Sequence, residues 1–191
     1  MIRQATLPLL FALSPAFHPD PEATLNRLER RLRKAVLRRE PVSLGTAAAP
    51  YEPAAGRQAS PLEALLKEEG LEVSITTATP RILREIDLLA DLDRRHSVTV
   101  RMAVPLPEDP EPRMRAVRAL AAEGVATSVL LSGAAGEEQL RALLQKAWEA
   151  GAWDVEIDAG SSRRSEKTFL LATFRRLRLE YGFPRGVPGR G

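Results

Sequence analysis

The 191-residue chain carries 28 Lys and Arg against 25 Asp and Glu, a formal charge of +3, and has no cysteine. The missing thiols exclude disulfides, thiolate nucleophiles and any zinc or iron–sulfur site ligated by cysteine. Aromatic residues are only 5% of the chain, too few for a stacking platform that tracks single-stranded nucleic acid. No apolar run reaches the roughly 18 residues of a membrane-spanning helix.

A chain of this length fits one domain, expected over 1–182, with 183–191 as a frayed tail of Gly, Pro and Arg. Leu7 to Leu13 is a short apolar stretch that reads as a buried strand. Behind Arg3 it also has the look of a short leader; the strand, and a cytoplasmic chain, are the expectation. PEATLNRLERRLRKAVLRRE then places Leu25, Leu28, Leu32 and Val36 at helical spacing, with Pro21 in the first turn after Asp20. PVSLGT is a second strand, followed by a loop rich in Pro, Ala and Gly from Ala47 to Ser60. Pro61 to Gly70 reads as a helix capped by Ser60 and stopped by the glycine.

LEVSITT is a third strand, dense in β-branched residues. Thr79 caps a helix beginning PRILREIDLLADLDRR, and SVTVRMAV is a fourth strand. A Pro-rich loop leads to a helix ending RMRAVRALAAEG, then VATSVLLS gives a fifth strand. EEQLRALLQKAWEAG is a helix stopped by Gly151, WDVEID a sixth strand, and about Ser165 to Tyr181 a last helix. Six consecutive βα units with short connections require parallel strands and right-handed crossovers. The fold class is therefore α/β, with a parallel sheet that is either open or curled into a partial (β/α)6 barrel. No GxGxxG or GxxxxGK[ST] run occurs, which removes support for the nucleotide-binding open sheets.

Strand alternation separates two faces. Val73, Ile75 and Thr77 oppose Ser74 and Thr76; Val98, Val100, Met102 and Val104 oppose Thr99 and Arg101; Trp153, Val155 and Ile157 oppose Asp154, Glu156 and Asp158. If the apolar faces meet the helices, Ser74, Thr76, Thr99, Arg101 and Glu156 point to the other side. Such a set either lines a pocket for a small polar molecule or forms a buried network in which Arg101 pairs a carboxylate of the last strand. The Asp154, Glu156, Asp158 run is weak as a cation site, since its side chains spread over about 13 Å at ~3.3 Å per residue.

Pro41 to Val129 resembles the core of the spore-photoproduct-lyase-like branch of the radical S-adenosylmethionine (SAM) enzymes. EPVSLGTAAAPYEPAA is similar to the family segment EPIALGTxTDPYQPxE, and VSITTATPRILREIDLLADLDRRHSVTV to VSIITKSPLVLRDLDLLxxLxxRHxVxV. PRMRAVRALAAEGV resembles PxxRLEAIRALAEAGI. Similarity continues more weakly through EEQLRALLQKAWEAGA and the segments KTFL and FRRLRLEYGFPR, which look joined after a deletion. The resemblance implies a six-stranded partial barrel with SAM in its lumen and a [4Fe–4S] cluster held by a CxxxCxxC loop.

The departures fall on that chemistry. FALSPAFHPDPEATL passes from the first strand to its helix without the cluster loop, and His18 cannot replace three thiolates. Ala49, Ala55 and Ala78 stand where the family carries an Asp, a Glu and a Lys, and the loops PLPEDPEP and SGAAGEEQ are shortened. The resemblance thus implies a degenerate member that needs no predicted cofactor and has lost radical catalysis, kept as a binding or accessory scaffold. The open alternatives are an enzyme or SAM-binding protein using the lumen. Gly45, Thr46, Pro50, Tyr51, Thr77 and Thr79 are retained near the site. The candidate ligand-binding residues are Thr46, Tyr51, Thr76, Thr77, Thr99, Arg101 and Glu156, with bland roles in turns, caps and packing as the alternative for each.

His96 falls at a helix end, where a cation would oppose the helix dipole. The first helix holds Arg27, Arg30, Arg31, Arg33, Lys34, Arg38 and Arg39. That face is either a solvated surface or a weak contact for a polyanion, which is a third function class, a nucleic-acid-binding module. No membrane partner is expected.

Overall fold

The computed structural model describes residues 21–46, 50–53, 60–106, 108–133, 136–158 and 164–183. Within them the chain order is α1 (Pro21–Arg38), β1 (Val42–Leu44), a 3-10 helix (Pro61–Lys67), β2 (Glu72–Thr77), a second 3-10 helix (Pro80–Glu85) and α2 (Ile86–Arg95). Then come β3 (Ser97–Pro105), α3 (Glu111–Ala122), β4 (Ala126–Ser132), α4 (Glu137–Glu149), β5 (Asp154–Asp158) and α5 (Arg164–Glu180). The strand expected at Leu7 to Leu13 lies outside the described residues.

The five strands form one parallel sheet in the order β1-β2-β3-β4-β5. A sheet that always advances in one direction by right-handed crossovers puts every connection on the same face. The core follows that rule. Val42, Leu44, Val73, Ile75, Val98, Val100, Met102, Val104, Val129, Leu131 and Val155 all lie on one face and are at most 2% exposed. Against them pack Leu32 of α1, Leu89 and Leu92 of α2, Met114, Val117 and Leu120 of α3, and Phe174 and Leu177 of α5. In α4 the buried set Leu140, Leu143, Leu144 and Ala147 has the i, i+3, i+4, i+7 spacing of an apolar stripe. An order without reversal also leaves no switch point at which a dinucleotide crevice forms.

Two helical segments differ from expectation. Pro61–Lys67 is 3-10 rather than α and ends before Gly70, at an extended Glu68. Leu62 and Leu65 are both buried, and the three-residue period of a 3-10 turn puts them on one edge. The expected caps are present: Ser60 accepts from the Leu62 N–H, and Thr79 from the Arg81 N–H. The segment after Thr79 begins as 3-10 before becoming α2. Phe183, expected in the tail, is 3% exposed and meets Trp148 edge-on with centroids 5.5 Å apart, so packing extends to that residue.

Candidate functional site

The face opposite the core is polar and half-buried, not dry. Register carries it across the sheet: Ser43 beside Ser74, Thr76 beside Arg101, Arg101 beside Ser128, and Leu130 beside Glu156. A cleft of about 380 Å³ opens on this face. β1 and its following turn supply Ser43, Gly45 and Thr46; β2 supplies Thr76 and β3 Arg101; Leu130 comes from β4, and Glu156, Ile157 and Asp158 from β5. Most of these positions lie toward the C-terminal ends of the strands.

The charged centre is the pair Arg101–Glu156. Nε donates to Oε1 at 3.0 Å and Nη2 to Oε2 at 2.6 Å, a two-point contact that passes over β4. The side chains are 31% and 41% exposed, so the expected arginine–carboxylate pair forms, but in a wet cleft instead of a sealed network. Ser128, between them on β4, is 1% exposed, and its hydroxyl has no hydrogen-bond partner among the described residues.

One wall is set by an exact backbone requirement. Gly45 has φ +75°, and a Cβ there would sit 2.4 Å from the Thr76 carbonyl oxygen and 2.4 Å from the Tyr51 nitrogen. That close approach lets the Tyr51 N–H donate to the Thr76 carbonyl at 2.6 Å, while the Thr77 hydroxyl donates to the Tyr51 carbonyl at 2.8 Å. The Tyr51 ring is 5% exposed. Its hydroxyl donates to the Glu85 carboxylate at 3.0 and 3.2 Å, and the Ser60 hydroxyl lies 3.2 Å away. Burial pushes the phenol well above the ordinary tyrosine value; Ser60 opposes the shift and the Glu85 charge adds to it.

The seven candidate residues therefore divide. Thr46, Thr76, Arg101 and Glu156 meet in the cleft. Thr99 shares their face but lies outside the cleft. Thr77 is fully buried on the core side, and Tyr51 is a clamp between the β1 turn, Ser60 and Glu85. Ser43 and Ser128 were not singled out, although the same alternation in VSL and VATSVLLS marks both.

Asp154, on the same face at the start of β5, pairs with Arg178 of α5 at 2.6 Å and accepts from the Val155 N–H. Burial raises its carboxyl above the usual value against the opposing pull of Arg178. No local pattern pointed to that partner. Arg113 of α3 donates from Nε to the Ala78 carbonyl at 2.8 Å, holding the turn after β2.

His96 departs from the expected cation at a helix end. Its ring is 5% exposed, Nδ1 accepts from the Leu71 N–H at 3.2 Å, and Nε2 lies 2.9 Å from the Leu65 carbonyl. The ring therefore bridges two backbone groups, the Leu71 N–H and the Leu65 carbonyl.

Hydroxyls, one guanidinium and carboxylates make up the polar lining. A chain without cysteine cannot give a [4Fe–4S] cluster three thiolates, so these residues do not fit that group. Among the described residues no three His, Asp or Glu side chains are placed to hold a metal ion, and no helix is long and apolar enough to cross a membrane. No protein-family model matches the chain, and no curated protein matches it in sequence.

Proposed function

We propose that this chain is a cluster-free relative of the spore-photoproduct-lyase-like radical SAM proteins, and that its concave polar face is a binding site for a small polar ligand. The supporting observation is the cleft itself. Residues from all five strands, both edges included, line one space of about 380 Å³. In a flat sheet the outer strands would stand about 19 Å apart, at roughly 4.8 Å per step. Convergence on one cleft favours a curled, partial-barrel sheet with its binding end at the strand C-termini, where barrels of this general kind place their sites. The volume falls within the roughly 300–1,000 Å³ of small-molecule sites. The chemistry of this reading is binding.

One purified sample tests it. Anaerobic incubation with iron and sulfide is expected to leave no broad visible absorbance, and a stoichiometric cluster would overturn the cluster-free reading. Calorimetry with SAM and with a set of small polar metabolites is expected to show saturable binding that Arg101→Ala removes. Absence of binding across the set overturns the ligand-site reading.

A second reading is favoured by α1. Arg33, Lys34, Arg38 and Arg39 are exposed, the ion pairs Arg33–Glu68 and Arg38–Glu40 are loose at 3.7 and 3.6 Å, and Leu37 is 86% exposed among them. Such a face is compatible with weak phosphate contact. A salt-titrated gel shift with duplex DNA tests it: each phosphate contact contributes a slope of about −0.9 in log affinity against log salt, and no shift at low salt removes this reading.

A further inference from the structure

The geometry of the charged pair points to a ligand class: we infer that the cleft takes a zwitterion with adjacent ammonium and carboxylate groups, an α-amino acid, inserted between Arg101 and Glu156. This rests on the reading of the concave face as a ligand site.

Arg101 presents Nε and Nη2 side by side to the two carboxylate oxygens of Glu156, at 3.0 and 2.6 Å. That fork is the geometry in which arginine takes any carboxylate, a ligand's included. Glu156 is in turn an acceptor for an ammonium group. The pair thus occupies the cleft as an internal stand-in for a molecule carrying both charges.

The cost of opening it is small. At 31% and 41% exposure the two side chains still meet water, and pairs of that kind contribute little stability. The exchange also conserves charge pairing. A zwitterion gives Arg101 a new carboxylate and Glu156 a new cation, so neither is stranded. A simple carboxylate would take Arg101 and leave Glu156 beside a like charge. A simple amine would take Glu156 and leave Arg101 alone. The pair therefore selects for both charges in one molecule.

The rest of the cleft fits a ligand side chain of modest size. Leu130 gives an apolar contact between the two charges, and Ser43 and Thr76 give hydroxyls on the facing wall. Ser128, 1% exposed with an unsatisfied hydroxyl, lies on β4 beside Arg101 in register. No aromatic side chain lines the cleft among the described residues, which disfavours a nucleobase.

The full-length chain is titrated, by calorimetry and by ligand-observed saturation-transfer NMR, with the common L-amino acids singly. Their N-acetyl and carboxamide derivatives, acetate, methylammonium and glycerol are run beside them. At least one amino acid is expected to bind saturably and to lose at least about tenfold in affinity, 1.4 kcal/mol, when either end is blocked. Arg101→Gln and Glu156→Gln are each expected to cause a similar loss with an unchanged circular-dichroism melt. Arg101→Lys, which keeps the charge without the fork, is expected to fall between. Equal binding of blocked or singly charged probes overturns the zwitterion inference and leaves the ligand-site reading standing. If no probe of any charge class binds, the ligand-site reading itself fails, and the inference falls with it.

Discussion

Arg101 and Glu156 meet over an intervening strand: their side chains leave β3 and β5 and join at 2.6 Å above β4. Same-face side chains two strands apart reach each other most readily where the sheet is concave, and this pair keeps both charges in contact with water. Its contribution to stability should therefore be that of a surface pair, about 0.2–1 kcal/mol in a double-mutant cycle of Arg101→Gln and Glu156→Gln read by urea denaturation. A coupling of several kcal/mol would mean a sealed, desolvated pair and a structural role. The small coupling is what lets the same two residues serve a ligand.

Gly45 makes the opposite prediction. Its φ of +75° and the two backbone atoms 2.4 Å from a built Cβ leave no room for any side chain. Gly45→Ala is expected to destabilise by at least about 3 kcal/mol, combining left-handed strain with displacement of the turn from β2. Urea denaturation measures the loss, and amide exchange at Tyr51 should report the broken bond to Thr76. A variant within the error of the parent would show that the turn moves freely.

The faces of the sheet were legible because burial acts on strict alternation. Val73 and Ile75 against Ser74 and Thr76, and Val98 to Val104 against Thr99 and Arg101, needed only the period of a strand. The same rule put Arg101 and a β5 carboxylate on one side. What the pattern did not reveal depends on distant parts of the chain. Tyr51 lies 34 residues from Glu85, and only the closure of the β1 turn on β2 brings them together. Thr77 entered the ligand set through its place in a resembling motif, although alternation put it on the core face, where it lies. The 3-10 geometry of Pro61–Lys67 was equally hidden, since Leu62 and Leu65 suit one face of either helix.

Tyr51 carries a pH prediction. Burial raises its phenol above the ordinary value of 10.0, so the folded chain holds a proton that the unfolded chain releases. Stability is then full below that value and falls as pH rises above it, by up to about 1.4 kcal/mol per pH unit, until the folded phenol also ionises. Tyr51→Phe removes this alkaline slope. At neutral pH it costs about 1–2 kcal/mol for the lost bonds to Glu85 and Ser60. The chain has two tyrosines. Ultraviolet titration of the folded protein should show one ionising late, together with unfolding, and that late phase should vanish in the variant. Two phenols titrating together near the ordinary value would contradict the burial argument.

His96 tests whether a buried ring acts through its shape or its hydrogen bonds. It takes the Leu71 N–H on Nδ1 and gives its Nε2 proton to the Leu65 carbonyl, joining the chain before β2 to the end of the first 3-10 helix. Phenylalanine fills a similar volume and offers neither bond. The Leu65 carbonyl keeps the Glu68 N–H as a donor, so the variant strands one buried group, the Leu71 N–H, and His96→Phe is expected to lose roughly 1–3 kcal/mol in urea denaturation. Exchange protection should fall first at Leu71, whose N–H loses its acceptor, while the amides of β4 and β5 keep theirs until global unfolding. A variant as stable as the parent, with Leu71 still protected, would mean that packing alone holds this corner and that the ring nitrogens contribute nothing to it.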